Sequence, residues 1–237
     1  MLVRFARLAA VILCAALGMA VGPIVAHADD SVRPVLVIGG FNGDAGRLEV
    51  LRAWLGARGY PAYVMELSGS PTGTASIVES AQAVAAKVGE IRQATGAQRV
   101  DLIGHSMGGL AQRWFVKFLG GIDQVGTYVD YGTPEQGEPL GKLCAEVSAG
   151  CRDLAPGSDF VNQLNADPAI SAGVPAYHLF SENGTGEKNP LPGATNASVQ
   201  SFCPGRSVDH AVEPIDPAFQ QLIDSALRGG PLTTTCP

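Results

Sequence analysis

Short apolar runs alternate with helically spaced apolar positions along most of this chain. The alternation predicts a mostly parallel sheet with helices on both faces, since each buried strand needs a crossover helix before the next. Val35-Leu36-Val37-Ile38 reads as a buried strand ending in Gly39-Gly40. A helix follows, with Leu48, Leu51 and Leu55 on one face and Gly59 near its stop. Tyr63-Val64-Met65 is the next strand. Ile77, Ala81, Val84, Val88 and Ile91 then recur at helical spacing, with Ser76 and Glu79 placed for a capping box and Gly96 for a stop. Val100-Asp101-Leu102-Ile103 is a strand running into Gly104, and the helix after it, Met107 to Leu119, should carry Leu110, Trp114 and Phe118 inward. Val125 to Tyr131 is a strand closed by Gly132-Thr133-Pro134. The stretch from Glu135 to Ala172 is looser, with a short helix around Ser158 to Leu164. Ala176 to Phe180 is a strand, and Asp216-Pro217 opens a final helix with Phe219, Leu222, Ile223 and Leu227 inside.

The first 28 residues carry a different pattern. Arg4 and Arg7 precede an uncharged apolar run from Leu8 to Val21, and Ala26-His27-Ala28 has the small-x-small form of a cleavage site. The run is shorter than the ~20 residues a membrane span needs, and Leu13 before Cys14 is too large for a lipoprotein signal. Residues 1–28 are therefore expected to be a secretory signal peptide and 29–237 a single domain, with no repeat and no linker visible. Cleavage removes two cations and no acid, taking the formal net charge from −6 to −8. An acidic chain without a Lys/Arg run excludes nucleic acid as an expected partner. No later segment is apolar enough to span a membrane, and a secreted monomer is expected. Cys144, Cys151, Cys203 and Cys236 remain, an even number suited to disulfides in an oxidising compartment. Three pairings are possible; Cys144–Cys151 is the shortest closure and would leave Cys203–Cys236. No C-x-x-C or ligand-spaced histidine supports a metal site.

Gly104-His105-Ser106-Met107-Gly108 fits G-x-S-x-G between a strand and a helix. A nucleophilic Ser must stand clear of the sheet on a tight, strained turn, with glycines where side chains would strike the neighbouring strand and helix. The N–H after it points at a developing oxyanion, and the helix N-terminus adds a favourable field. Ser106 is thus the candidate nucleophile and Met107 one oxyanion donor. Phe41, in the loop after the first strand, is the candidate second donor. That loop carries neither G-x-G-x-x-G nor a Walker A pattern, so it is not read as a phosphate cradle.

The base follows by elimination. His27 leaves with the signal, His105 is locked in the elbow, and His178 is mid-strand and reads as a satisfied, partly buried histidine. His210, in the loop before the final helix, lies where the base should fall in the order Ser, acid, His. The acid should follow the strand ending at Phe180. Glu182 is nearest the strand end and is the first candidate; Glu187 is second, and Asp209 is badly placed beside His210.

With these residues in hand, the chain resembles the small secreted bacterial lipases known as lipase class 2, from about Pro34 to Leu227. Val100 to Gly109 is similar to their elbow, and Cys203-Pro204-Gly205-Arg206 with Val208-Asp209-His210 to their histidine loop. Gly132-Thr133-Pro134 and Leu191-Pro192-Gly193-Ala194-Thr195-Asn196 are shorter likenesses. The resemblance implies a compact α/β-hydrolase fold, hydrolysis of acylglycerols or simple esters, and no metal or organic cofactor. The sequence departs from the family at Gly39-Gly40, where many members have His-Gly. It departs also at Gly184, where spacing places the family's Asp. An acyltransferase on the same scaffold and a non-catalytic lipid-binding relative are the alternatives.

Overall fold

The computed structural model describes residues 32–43 and 45–237. The signal-peptide reading, with Cys14 and His27, lies outside the described residues. Six parallel strands form one sheet in the order β2-β1-β3-β4-β5-β6. They are β1 Val35–Ile38, β2 Ala62–Met65, β3 Val100–His105, β4 Val125–Tyr131, β5 Ala176–Phe180 and β6 Thr195–Ser198. The order reverses direction at β1, so the loops after β1 and β3 open side by side at the carboxyl edge, where open α/β sheets place their sites.

Two apolar layers cover the two faces. On one, Leu36, Ile38, Leu102 and Tyr128 pack against α2 (Ile77–Thr95) and α3 (Met107–Phe118). On the other, Val35, Val37, Ile103 and Val129 pack against α1 (Ala45–Gly56) and the last helix, α8 (Pro217–Leu227). The assignment follows the two-residue period of strands: Leu36 and Ile38 face one way, Val35 and Val37 the other. Leu48, Leu51 and Leu55 are buried on α1, and Phe219, Leu222, Ile223 and Leu227 on α8. Ser76 accepts from the Glu79 N–H at the start of α2, and Gly96 ends it with a left-handed φ of 74°. Asp216 caps α8 with Pro217 in its first turn.

Three details differ from the sequence reading. Phe118 is 44% exposed, and Phe115 is the aromatic that α3 buries. Positions 110, 114 and 118 drift around a 3.6-residue helix, so the third leaves the buried stripe; Phe118 packs instead against Trp114 with its ring tilted, centroids 4.5 Å apart. The loose stretch contains, besides α6 (Asp159–Asn165), two short helices, α4 (Gly141–Cys144) and α5 (Ala149–Leu154). Disulfides join Cys144 to Cys151 and Cys203 to Cys236, the pairing that the shortest closure leaves and so no departure from the sequence reading. Finally, polar Thr195–Ser198 forms the edge strand β6, followed by α7 (Val199–Phe202). Among the described residues no helix is long and apolar enough to cross a membrane.

Candidate active site

Ser106 joins β3 to α3 with φ 55° and ψ −126°, a conformation costly for any residue with a side chain. The turn holds because its surroundings leave no alternative. A Cβ at Gly104 would meet the Gly109 backbone at 2.6 Å, and one at Gly108 would meet the Ile38 carbonyl at 2.8 Å. The loop after β1 presses against the same turn, where a Cβ on Gly40 would lie 2.8 Å from that of Ser106. In this loop the Asn42 N–H bonds Thr72 (2.8 Å) and the Gly43 N–H bonds Gly40 (3.2 Å). Neither bond draws on the N–H of Phe41. Met107 is the first residue of α3, whose leading N–H groups lack intrahelical partners.

His210 comes from the loop after α7, at the start of a 3-10 turn over His210–Ile215. Ser106 and His210 line one cleft of about 390 Å³, together with Phe41, Pro134, Leu140 and Leu154. No hydrogen bond among the described residues joins Ser106 Oγ to His210; in free serine hydrolases this bond often tightens only with substrate. The Cys144–Cys151 disulfide forms part of the cleft wall.

Glu182, the first candidate for the acid, does not reach the histidine: it is exposed and accepts from Ser198 Oγ at 2.8 Å. It lies two residues beyond the end of β5, and its carboxyl meets the edge strand β6 at Ser198. The carboxylate that does reach His210 is Glu187, whose Oε2 lies 2.9 Å from Nδ1 and which is only 3% exposed. The cause lies at Gly184. A Cβ built there would overlap the Glu187 carboxyl. Glu187 therefore fills the space that a side chain at position 184 would occupy, three residues further along the loop. Its backbone is held from below, because His178 Nε2 lies 2.9 Å from the Glu187 carbonyl. His178 is not partly buried but wholly so, with Nδ1 on Asp130.

A second carboxylate, not singled out in the sequence, also faces His210. Glu213 is fully buried, with Oε2 at 3.4 Å from His210 Nδ1 and 3.1 Å from His105 Nε2. In a 3-10 turn residues i and i+3 eclipse, which puts Glu213 directly over His210. His105 stacks on His210 with ring centroids 4.6 Å apart and also bonds its carbonyl at 3.1 Å. Gly132, at φ 61°, leaves the room for this cluster, since a Cβ there would overlap Glu213 and lie 2.9 Å from His210 Nδ1. Asp209 is exposed beside it.

Burial opposes a charge on His210, but its hydrogen bonds to Glu187 and Glu213 and their negative charges outweigh it and raise its pKa to about 10. Burial lowers that of His105, and the Glu213 bond only partly offsets this, so His105 is neutral. Burial raises the Glu187 carboxyl. Burial acts the same way on Glu213 but is outweighed by its bonds to His105 and His210, which bring it below the ordinary range.

Among the described residues two clusters bring three ligand-type atoms within 4.8 Å of one another: His105, His210 and Glu213, and Asp130, Glu135 and His178. The first is engaged in the bonds that hold His210. The second already contains its cations, because Arg113 pairs with Glu135 and His178 with Asp130.

The comparisons with known proteins agree with this architecture. Over 142 residues the chain is 30% identical to a triacylglycerol lipase of Burkholderia plantarii, spanning 39% of that protein and 56% of this one. Aspergillus fumigatus lipase B superposes with a TM-score of 0.70 at 16% identity, covering 86% of this chain and 54% of that one. Mature Bacillus licheniformis lipase BlEst2 does so with 0.62 at 20% identity, covering 79% and 89%. These two likenesses establish a shared α/β-hydrolase fold. The family model for class 2 lipases matches residues 32–186. That match spans more than half of the sequence, and the chain belongs to the class 2 lipase family.

Proposed function

We propose that the protein is a secreted carboxylic ester hydrolase, a lipase or esterase acting on acylglycerols or simple esters through an acyl-enzyme. The observation that carries this reading is the strained Ser106 turn opening into the same cleft as a carboxylate-backed His210. Membership of the lipase family and the Burkholderia relative support it. The Arg-flanked apolar leader and two disulfides support export.

In the first step Ser106 Oγ attacks the ester carbonyl while its proton passes to His210 Nε2. Glu187, at Nδ1, keeps that nitrogen protonated and thereby leaves Nε2 free to act as base. The carbonyl oxygen becomes an oxyanion held by the N–H groups of Phe41 and Met107. His210 returns the proton to the leaving alcohol. Water then repeats the sequence on the acyl-enzyme and releases the acid.

Hydrolysis of short- and long-chain p-nitrophenyl esters by the oxidised protein tests the reading. The parent should turn over with a loss of at least ~10³-fold in Ser106→Ala. Equal rates in the two proteins would remove Ser106 from the chemistry.

A further inference from the structure

The loops that bring Glu187 and His210 together share no strand or helix, and among the described residues no backbone–backbone hydrogen bond joins residues 181–190 to residues 203–209. We infer that Ser181 and Asn183 are positioning residues that clamp the backbone of Val208 and thereby set the contact between Glu187 and His210. The inference rests on the proposed reading of Ser106, His210 and Glu187 as nucleophile, base and acid.

Val208 stands two residues before His210. Its side chain is 1% exposed and packs in the apolar layer that α1 and α8 share. It lies outside any helix or strand, and its N–H and C=O have no backbone partner among the described residues. Buried peptide groups need partners, and two side chains of the acid loop supply both. Ser181 Oγ donates to the Val208 carbonyl at 2.8 Å, and Asn183 Oδ1 accepts from the Val208 N–H at 3.1 Å. The pair does for Val208 what a neighbouring strand would do.

Ser181 also reaches the acid. Its N–H donates to Glu187 Oε1 at 3.3 Å, while Glu187 Oε2 faces His210 Nδ1 at 2.9 Å. One residue with 0% exposure thus holds the carboxylate through its backbone and the histidine loop through its hydroxyl. Gln200, from α7, fixes the direction of both side chains. Its Nε2 lies 3.2 Å from Ser181 Oγ and 3.1 Å from Asn183 Oδ1, and its Oε1 accepts from the Glu182 N–H at 2.9 Å. A serine hydroxyl has one hydrogen to give. With Gln200 and the Asn183 N–H (3.2 Å) donating to Ser181 Oγ, that hydrogen is directed at Val208.

The other ties on the histidine loop lead elsewhere. Cys203–Cys236 and the fork from Arg206 to Asp216 pin its beginning to the C-terminal tail and to the cap of α8, not to the acid. Neither Ser181 nor Asn183 touches the reacting atoms. Their effect passes through Glu187, which holds the imidazole with Nε2 turned to Ser106. Substrate contacts are left alone, so release of the clamp lowers kcat and not binding.

The experiment measures kcat, KM and the rate of phosphonate labelling of Ser106 in Ser181→Ala, Asn183→Ala and the pair. Each change is made in the parent and again in Glu187→Ala, with thermal unfolding to confirm the folded state. Each single change should lower kcat about three- to tenfold and the pair on the order of 10²-fold, as misplacement by about 1 Å does, with KM within about twofold. In Glu187→Ala the same pair should cost less than about threefold, because the contact it serves is gone. Asn183→Asp keeps an acceptor oxygen facing the Val208 N–H and should retain the parent's kcat within about threefold. Should Ser181→Ala not fold, the exposed Asn183 carries the same comparison alone. An unchanged kcat in the folded variants, an equal loss with and without Glu187, or Asn183→Asp falling as far as Asn183→Ala would overturn the clamp. Each of those results leaves the Ser106 reading intact, which fails only if Ser106→Ala stays active.

Discussion

His178 offers the sharpest link between folding energy and the site. Its ring has 0% exposure, with Nδ1 against Asp130 Oδ1 and Nε2 at 2.9 Å from the Glu187 carbonyl. The carbonyl can only accept, so Nε2 donates to it, and Nδ1 faces the Asp130 carboxylate; with both nitrogens donating, the ring is an imidazolium. Burial works against that charge, but Asp130's charge and the two hydrogen bonds outweigh it and raise the pKa. His178→Leu removes both donors and leaves Asp130, itself fully buried, without its cation. Breaking one side of a buried ion pair costs about 3–5 kcal/mol. At roughly 2–4 °C per kcal/mol for a domain of this size, Tm should fall by about 12 °C. The double variant Asp130→Asn/His178→Leu no longer buries a lone charge and should recover a clear part of the loss. The effect also has a pH signature. A raised folded pKa gives a contribution complete below the unfolded value of about 6.5 and lost as pH rises through the folded value. The gap in Tm between parent and His178→Leu should therefore be widest at mildly acidic pH and narrow toward alkaline pH. Calorimetry over that range reads it directly. A loss under about 1 kcal/mol, or a double variant no more stable than the single, would refute the charged clamp.

Three further outcomes follow from the site. In the proposed reaction His210 must be neutral to accept the Ser106 proton, and its pKa is raised to about 10, so the acid limb of kcat/KM should lie above the ordinary 6.5; a limb at or below 6.5 in a pH–rate titration would contradict the two-carboxylate environment. Because Glu187 fills the side-chain space of Gly184, Gly184→Asp should restore at least about tenfold of the kcat lost in Glu187→Ala/Glu213→Gln, and the same change in the parent should lower activity by displacing Glu187. Cys144→Ser/Cys151→Ser opens a loop closed over a separation of seven residues, which should cost about 2.5 kcal/mol in denaturant unfolding; as both cysteines line the cleft, KM should rise more than kcat falls.

The parts of the fold that were legible are those whose signal is local. The buried run Val35–Ile38, the Ser76 cap, the Asp216-Pro217 start and the Gly-His-Ser-Met-Gly turn each specify their geometry within a few residues, and each takes that geometry. Proximity to a strand end singled out Glu182, but its carboxyl is taken by Ser198 on the neighbouring edge strand. The loop has to turn back before a carboxyl can approach His210, and Glu187 is where it does so. The cue was the missing side chain at Gly184, legible as a departure from the family but not as a vacancy filled from three residues away. Glu213 left a fainter signal: an acid at i+3 from the base, within the apolar context Ala211-Val212-Glu213-Pro214-Ile215. Reading it required knowing that this stretch is a 3-10 turn. The edge strand Thr195–Ser198 shows no apolar alternation, because its pairing is set by β5 and not by burial of its own side chains.

In the proposed reaction Ser106 carries a covalent acyl intermediate. Rapid quenching of the oxidised protein with a p-nitrophenyl ester, followed by intact-mass and peptide mass spectrometry, tests it most directly. A burst of p-nitrophenol close to one per protein and an acyl adduct on the peptide containing Ser106 are expected, both absent in Ser106→Ala. Turnover without any adduct, or an adduct mapped to another residue, would contradict it.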